Sequence, residues 1–391
     1  MYCAHFVADR CHSCQWLDKP YQTQLALKQQ QLAQLLLPLQ PFQLLPAVTS
    51  AEQQFRYKAK MVVLGTSEQP LLGIVNPQGD ALDLADCPLY PPSFSPVFSA
   101  LKDFIKLAKL QPYQVAERRG ELKFILLSQS QHSGRFMLRF VLRSKNHLAV
   151  IQKFLPQLLT QLPQLEVVSI NLQPQHAALL EGAEEIVLTE QKLLREQLNQ
   201  VPLYLTPQSF FQTNPTVAAA LYRTAAAWAL ELQQQGEPLT QLWDLFCGVG
   251  GFGLHLASGL KQQTQQAPFL VGIEIAAAAI GSARQAAAEL GLTQVSFQAL
   301  DSAAFASAAA QAPDLLVVNP PRRGLGAALC QDISRLQPRW LMYSSCNAQS
   351  LAADLQQLTG YQLVKVQLFD LFAHSSHSEV LTLLKRNEVV S

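Results

Sequence analysis

Asp244-Leu245-Phe246-Cys247-Gly248-Val249-Gly250-Gly251-Phe252-Gly253 decides the fold. An apolar run, Leu242–Phe246, reads as a strand and leads through this stretch into a segment with helical periodicity near 254–260. Glycines 248, 250 and 253 fit the G-x-G-x-x-G turn, which lets backbone approach a nucleoside where a helix opens behind a strand. Glu274 stands at the tip of the next strand-like run, Phe269–Ile275, where a carboxylate can accept hydrogen bonds from both ribose hydroxyls. The pattern suits an adenosine cofactor, and NAD and S-adenosylmethionine equally.

Outward from this turn, strand-like and helix-like runs alternate. Strands are expected at Val295–Asp301, Leu315–Asn319, Trp340–Ser345, Leu363–Phe369 and Val380–Leu384, with helices near 278–290, 325–336 and 348–358. That alternation predicts a doubly wound α/β domain over 201–391, built on a seven-stranded, mostly parallel sheet. Its boundary is the segment Val201–Asn214, where Asn214 as N-cap and Pro215 at the first helical position start an Ala-rich helix. Residues 18–200 read as an α+β domain. It opens with a helix over 17–45 and continues with strands at Phe55–Val63, Phe124–Leu127 and Arg135–Arg143 and helices near 96–110 and 146–162. Arg139 and Arg143 recur among apolar positions. They suit a solvated outer sheet face, the reading favoured here, or a surface that grips an RNA backbone.

A chain of 391 residues is expected to form two or three domains, and 49% hydrophobic content is ample for their cores. Only 15% of residues are charged and the net charge is +1, which neither supports nor excludes a nucleic-acid partner, because a local basic face can hide in a neutral total. With no run of membrane-spanning length and no signal-peptide pattern at the start, a cytoplasmic protein is expected. Its seven cysteines then suit metal ligation or catalysis rather than disulfides. Cys3, Cys11 and Cys14 form C-x7-C-x2-C, and Cys87 follows in Asp-Cys-Pro. Four soft thiolates suit zinc or an iron–sulfur cluster. His5 and His12 keep zinc open, and a proline after the last cysteine is ferredoxin-like.

Three strand tips carry further chemistry. Trp340-Leu-Met-Tyr-Ser-Ser-Cys346-Asn347 places one thiol at the C-terminal end of a strand, where ligands collect in α/β sheets. Asn319-Pro320-Pro321-Arg322-Arg323-Gly324 makes a rigid shelf with exposed carbonyls, and its two arginines invite a phosphate. Asp370-Leu-Phe-Ala-His374-Ser-Ser-His377-Ser-Glu379 clusters two histidines and a glutamate at the last turn of the sheet, from which Glu379 could reach a substrate held by Cys346.

Together, Asp244-Leu-Phe-Cys-Gly, Asn319-Pro-Pro-Arg-Arg-Gly, Ser344-Ser-Cys346-Asn and His374-x-x-His377-x-Glu379 resemble the RNA uracil-5-methyltransferase family, essentially from Cys3 to the end. The resemblance implies a Rossmann-like class I methyltransferase domain at 201–391 and an RNA-binding α+β domain at 18–200. It further implies an iron–sulfur region at 1–17 and around 87, with a [4Fe-4S] cluster on Cys3, Cys11, Cys14 and Cys87. S-adenosylmethionine would be held by Gln212, Phe246, Glu274, Asp301 and Asn319, with Glu274 on the ribose and Asp301 near the adenine. Cys346 would be the nucleophile and Glu379 the general base. The chain is most similar to members that act on 23S ribosomal RNA, which implies a loop uridine, uridine 747 by that resemblance, and a monomeric enzyme. A chain that starts at the cysteines is also expected to lack the N-terminal TRAM domain of one branch. Asn319 and Ala373-His374-Ser375 stand where the family often has Asp and Pro-His-Thr.

The chemistry asks for these groups. Uracil C5 is a poor nucleophile until a thiolate adds at C6, and the C5 proton must later leave so that the thiol is released. A free thiol has a pKa of about 8.5, so Cys346 is expected to be activated by its surroundings. An NAD oxidoreductase would share the glycine turn but has no use for Cys346 with Glu379. A cytosine-5-methyltransferase would carry a Pro-Cys motif where Asn319-Pro-Pro-Arg stands, and an iron–sulfur RNA-binding protein accounts for residues 1–190 only.

Overall fold

A computed structural model describes residues 1–176 and 179–388. The chain divides into two units, one of residues 1–15 and 51–196, the other of 16–50 and 197–391.

The second unit is built on an eight-stranded sheet. In spatial order its strands are Gln43–Leu44, Tyr361–Phe369, Glu379–Arg386, Trp340–Ser345, Leu315–Val318, Gln241–Leu245, Phe269–Glu274 and Val295–Ala299. All neighbouring pairs are parallel except the two made by Glu379–Arg386, which runs antiparallel between Trp340–Ser345 and Tyr361–Phe369. The central strands Leu315–Val318 and Trp340–Ser345 are buried at every position, as strands covered by helices on both faces must be. Asn214 caps the helix Pro215–Gln234 as its sequence indicates, its side chain accepting from the Val217 amide at 3.2 Å. Gly250 at φ 89° is a conformation in which a side chain would strain the backbone, and a Cβ at Gly253 would stand 3.0 Å from the Asp244 carboxylate. The turn therefore needs both glycines.

The sheet has one more strand than the seven expected. Gln43 and Leu44 pair with Lys365 and Val366, and two residues are too few to show any periodicity. The helix expected over 17–45 is shorter, Tyr21–Leu36, followed by a 3-10 turn at Leu37–Leu39. Residues 16–50 also join the second unit, whereas the sequence reading placed them with 18–200. The cause is a buried stripe at i, i+4 spacing, in which Gln24, Lys28, Leu32 and Leu36 share one face. Leu32 and Leu36 pack into the core with Tyr343, Leu351 and Leu355.

The first unit is a seven-stranded sheet in the order Ala81–Asp83, Pro70–Val75, Lys58–Gly65, Leu122–Gln129, Phe136–Leu142, Leu165–Leu172, Glu184–Val187. Its strands are antiparallel except for the pair Phe136–Leu142 and Leu165–Leu172, which the helix Leu148–Gln161 connects as a βαβ crossover. The helix Phe94–Leu107 packs Phe94, Phe98 and Phe104 into the core. Here both expectations for Arg139 fail. Every residue of Phe136–Leu142 is buried, and Arg139 donates to Glu185 Oε2 at 2.9 Å and to Glu181 Oε1 at 2.9 Å. A buried guanidinium must be paired to offset its lost hydration. Arg143 pairs with Glu121 Oε1 at 3.0 Å. Among the described residues no helix is long and apolar enough to cross a membrane.

If the Tyr21–Leu36 helix is integral to the second unit, Leu36→Ala leaves a cavity in its core. The substitution is expected to cost about 2–5 kcal/mol of stability, read from the urea midpoint. A loss below about 1 kcal/mol would show that the helix is not part of that core.

Candidate functional site

The reversed strand brings the two predicted chemical groups together. Cys346 directly follows Trp340–Ser345, and Glu379 is the first residue of the antiparallel strand beside it, with Ser345 facing Val380 in register. The Glu379 carboxyl is almost fully buried, and its one hydrogen bond among the described residues is accepted from Ser344 Oγ at 2.5 Å. Burial raises its pKa to about 7, with Ser344 working in the opposite direction. The Cys346 thiol is half-buried. Burial pushes its pKa up and the nearby Glu379 carboxylate pushes it further, while the Arg322 guanidinium pulls it down. The net shift runs against the activation expected from the sequence: Arg322 and a backbone hydrogen bond at Cys346 favour the thiolate, but burial and Glu379 outweigh them.

Cys346 opens onto a cleft of about 620 Å³. Lys28, Gln31 and Gln34 of the N-terminal helix line it, as do Arg322, Asn347, Gln349 and His377. Asn347 caps the helix Ala348–Gln357 and its side-chain amide donates to the Arg322 carbonyl at 3.1 Å, so the Asn319–Gly324 shelf is tied to the thiol-bearing turn. A second tie is Asp354. It accepts from Tyr343 Oη at 2.7 Å and from the Leu325 amide at 2.8 Å, joining the strand to the end of the same shelf.

The loop between Phe369 and Glu379 is held from inside the unit by the N-terminal helix. Lys28 Nζ donates to Asp370 Oδ1 at 2.6 Å and to the Phe372 carbonyl at 3.1 Å. Tyr21 Oη donates to Asp370 Oδ2 at 2.7 Å. Gln24 accepts from the His374 amide at 2.9 Å, and the His374 carbonyl accepts from the Trp16 amide at 3.0 Å. His374 is buried with a positive φ of 64°, so it shapes the loop, whereas His377 is exposed, lies on the cleft and contacts Arg322 at 3.3 Å. The sequence reading gave Lys28, Gln24 and Tyr21 no role. Their signal was only the polar members of a buried helical stripe, which means something once its partners, some 340 residues away in the chain, are known.

Four of the five residues expected to hold a nucleoside cofactor, Phe246, Glu274, Asp301 and Asn319, stand at the tips of Gln241–Leu245, Phe269–Glu274, Val295–Ala299 and Leu315–Val318. Glu274 is partly exposed and oriented by two backbone donors, the Gly248 amide at 3.3 Å and the Ala276 amide at 3.0 Å. A Cβ at Gly248 would meet nothing within 4 Å, so the space above the turn is open. Phe246 takes a positive φ of 61°, and its amide donates to Ser302 Oγ at 3.2 Å. Asp301 is exposed and caps the helix Ser302–Ala308 through the Ala304 amide at 2.9 Å. The Asn319 side chain makes no hydrogen bond among the described residues, and Gln212 is buried on the segment that precedes Asn214. The sequence reading missed Ile275 and Leu300, 74% and 45% exposed on adjoining strand tips. An exposed apolar pair beside the Glu274 carboxylate is suited to packing against a flat heterocycle. Buried Asp244 is also raised to about 7, foremost by burial.

In the first unit, Cys3, Cys11, Cys14 and Cys87 all line one cavity of about 120 Å³, with Arg56 and Lys60 beside them. Burial, then the neighbouring sulfurs, pushes the Cys14 thiol up to about 12. Burial also raises Cys87, to about 11. Among the described residues no three His, Cys, Asp or Glu side chains stand close enough to share one metal ion. A tetrahedral zinc with bonds of about 2.3 Å would need its four sulfurs within about 3.8 Å of one another. A cubane-type cluster binds each sulfur at a different iron and holds them further apart.

Residues 184–387 match the family model described as tRNA (Uracil-5-)-methyltransferase. The chain is 56% identical to the 23S rRNA (uracil(747)-C(5))-methyltransferase RlmC of Pectobacterium atrosepticum, over 99% of this chain and 100% of that protein. It is 57% identical to the RlmC of Yersinia pseudotuberculosis, over 98% and 99%. Among solved structures it is similar in fold to the Pyrococcus abyssi tRNA (uracil-54, C5)-methyltransferase crystallised with S-adenosyl-L-homocysteine. The TM-score is 0.77 at 22% identity, covering 96% of this chain and 84% of that one.

A buried carboxyl raised to about 7 makes stability depend on pH. The folded chain resists ionisation of Glu379, so the stability held below pH about 4.5, where the unfolded carboxyl is also protonated, is lost as pH rises to about 7. Glu379→Gln cannot ionise and should gain about 2–3 kcal/mol over the parent at pH 8 but nothing at pH 4.5. An equal stability difference at both pH values would refute the shifted carboxyl.

Proposed function

The chain belongs to the tRNA (uracil-5-)-methyltransferase family, and from that premise we propose that it forms 5-methyluridine in 23S ribosomal RNA, at uridine 747. The observation that carries the reading is the pairing of Cys346 with a buried carboxyl, Glu379, across two adjacent strand tips. S-adenosylmethionine, when bound, supplies an electrophilic methyl group for uracil C5. Glu274, Phe246, Gln212, Asp301 and Asn319 would hold it, Glu274 through the ribose hydroxyls and Asp301 near the adenine, with exposed Ile275 and Leu300 offering apolar contact.

The protein's own groups account for the remaining steps. A loop uridine is already unstacked, so placing its C6 beside Cys346 costs little. The thiolate forms a bond to C6, and the electron pair of the C5–C6 bond moves to give an enolate through C4. This makes C5 nucleophilic towards the methyl donor. Once C5 carries both a methyl group and its proton, Glu379 in its ionised form takes that proton. The C6–S bond then breaks, the C5–C6 double bond returns and the thiolate leaves. A carboxyl with a pKa of about 7 suits both halves of this cycle at neutral pH. Protonated, it does not oppose formation of the Cys346 thiolate; once the sulfur is bound to C6 and uncharged, the carboxyl releases its proton to water in the cleft before it takes the C5 proton. Ionised, it is a stronger base than an ordinary carboxylate. Arg322 favours the thiolate from the other side.

Cys3, Cys11, Cys14 and Cys87 would hold a [4Fe-4S] cluster, whose chemistry is not needed in any step above. Its part is to order the polypeptide around it in the first unit, residues 1–15 and around 87. The α+β remainder serves RNA binding, and 201–391 with the N-terminal helix serves catalysis. The same reading makes the protein a cytoplasmic monomer.

Cys346→Ala should abolish methylation of the RNA and remove the covalent adduct that the parent forms with 5-fluorouridine RNA. Glu379→Gln should keep the adduct, turn over about 10²–10⁴-fold more slowly and accumulate methylated RNA bound through Cys346. Normal turnover by either variant would reject the assigned roles. For the cluster, anaerobically purified protein should contain about four irons per chain with sulfide and visible absorption. Cys14→Ser should lose them, and zinc without iron in the parent would overturn the assignment.

A further inference from the structure

The cleft at Cys346 is larger than one uracil requires. A cavity of about 150 Å³ accommodates a benzene-sized ring, and the cleft measures about 620 Å³. Its far wall is the N-terminal helix Tyr21–Leu36, which contributes Lys28, Gln31 and Gln34. None of the residues that line it is acidic. Lys28 is committed to Asp370 and Phe372, but Arg322 is exposed and, among the described residues, has no carboxylate partner and one side-chain partner for its guanidinium, His377. A free guanidinium in an acid-free cleft is suited to a phosphodiester.

Gln31 and Gln34 are the second half of the argument. Both are exposed and their side-chain amides make no hydrogen bond among the described residues. Spaced i, i+3, they stand side by side on the helix surface. Each amide offers a donor and an acceptor together, the combination that pairs with the edge of an unstacked base. Their helix is fixed on its inner face by Lys28, Gln24 and Tyr21 on the 370–374 loop, so the amides are presented from rigid backbone.

We propose that this cleft seats a second nucleotide, the immediate neighbour of the target uridine in the RNA, with Arg322 on the linking phosphate and Gln31 and Gln34 on the edge of its base. The inference rests on the reading of the chain as an RNA uracil methyltransferase and adds a position at which it reads sequence. Gln31 and Gln34 do not touch the reacting atoms. They act as specificity residues.

The test uses the full-length, cluster-loaded protein and hairpin RNAs in which each of the four bases is placed in turn on the 5′ and on the 3′ side of the target uridine. The parent should prefer one base at one of the two flanks. The Gln31→Ala/Gln34→Ala double variant should flatten that preference and raise KM for the preferred RNA about tenfold. Alanine at exposed helical positions does not weaken the helix. Accordingly kcat at saturating RNA and the yield of 5-fluorouridine adduct should stay within about twofold of the parent. An active parent with no flank preference, or a variant with unchanged KM and preference, overturns the inference. So does a variant that loses kcat while KM holds. A parent that methylates none of the hairpins overturns instead the functional reading beneath it.

Discussion

One antiparallel strand organises the second unit. In a parallel sheet every strand offers its C-terminal tip to the same edge, so only residues at strand ends meet there. Reversing Glu379–Arg386 between two parallel neighbours delivers the start of a strand to that edge as well. Ser344 and Glu379 can then be hydrogen-bonded across a strand pair, and the carboxyl sits beside the turn that carries Cys346. The hairpin leading into that strand must be long enough to return, and its loop is where Asp370, His374 and His377 are placed. The inner face of the N-terminal helix, through Tyr21, Gln24 and Lys28, is given to holding this loop.

The electrostatics show the same economy. The Glu379 carboxylate opposes ionisation of Cys346, and burial opposes ionisation of both. Such a pair carries one negative charge more readily than two, and its titration belongs to the pair rather than to either member. On the proposed reading, the charge rests on sulfur while the adduct forms and on oxygen when the C5 proton must leave. Arg322 biases the first state, and the Ser344 hydroxyl biases the second.

Much of this was legible in the sequence, because strand tips announce themselves. The glycine turn, Asn319-Pro-Pro, Cys346 and Glu379 each follow or precede an apolar run, and the doubly wound order places such tips on one edge. The strand Gln43–Leu44 was not legible, since two residues carry no period. Nor was the role of Lys28 or Gln24: a polar residue on an amphipathic helix looks solvated until its buried partner is found. Arg139 misled for a related reason. Alternation between apolar and basic residues normally marks an exposed face, but here Glu181 and Glu185 come from beyond the strand to neutralise the charge inside. Ile275 and Leu300 failed in the opposite sense, being apolar residues that read as strand interior and are exposed.

The bond between Lys28 and Asp370 joins residues 342 positions apart. Translation at about 5–20 residues per second leaves roughly 20–70 s between the appearance of the lysine and that of its aspartate. For most of that interval the helix lacks Tyr343, Leu351 and Leu355, which cover Leu32 and Leu36. The edge strand Gln43–Leu44 waits as long for Tyr361–Phe369. The second unit therefore completes only after the ribosome has released nearly the whole polypeptide. An N-terminal truncation would therefore unsettle the unit whose remaining strands are made last.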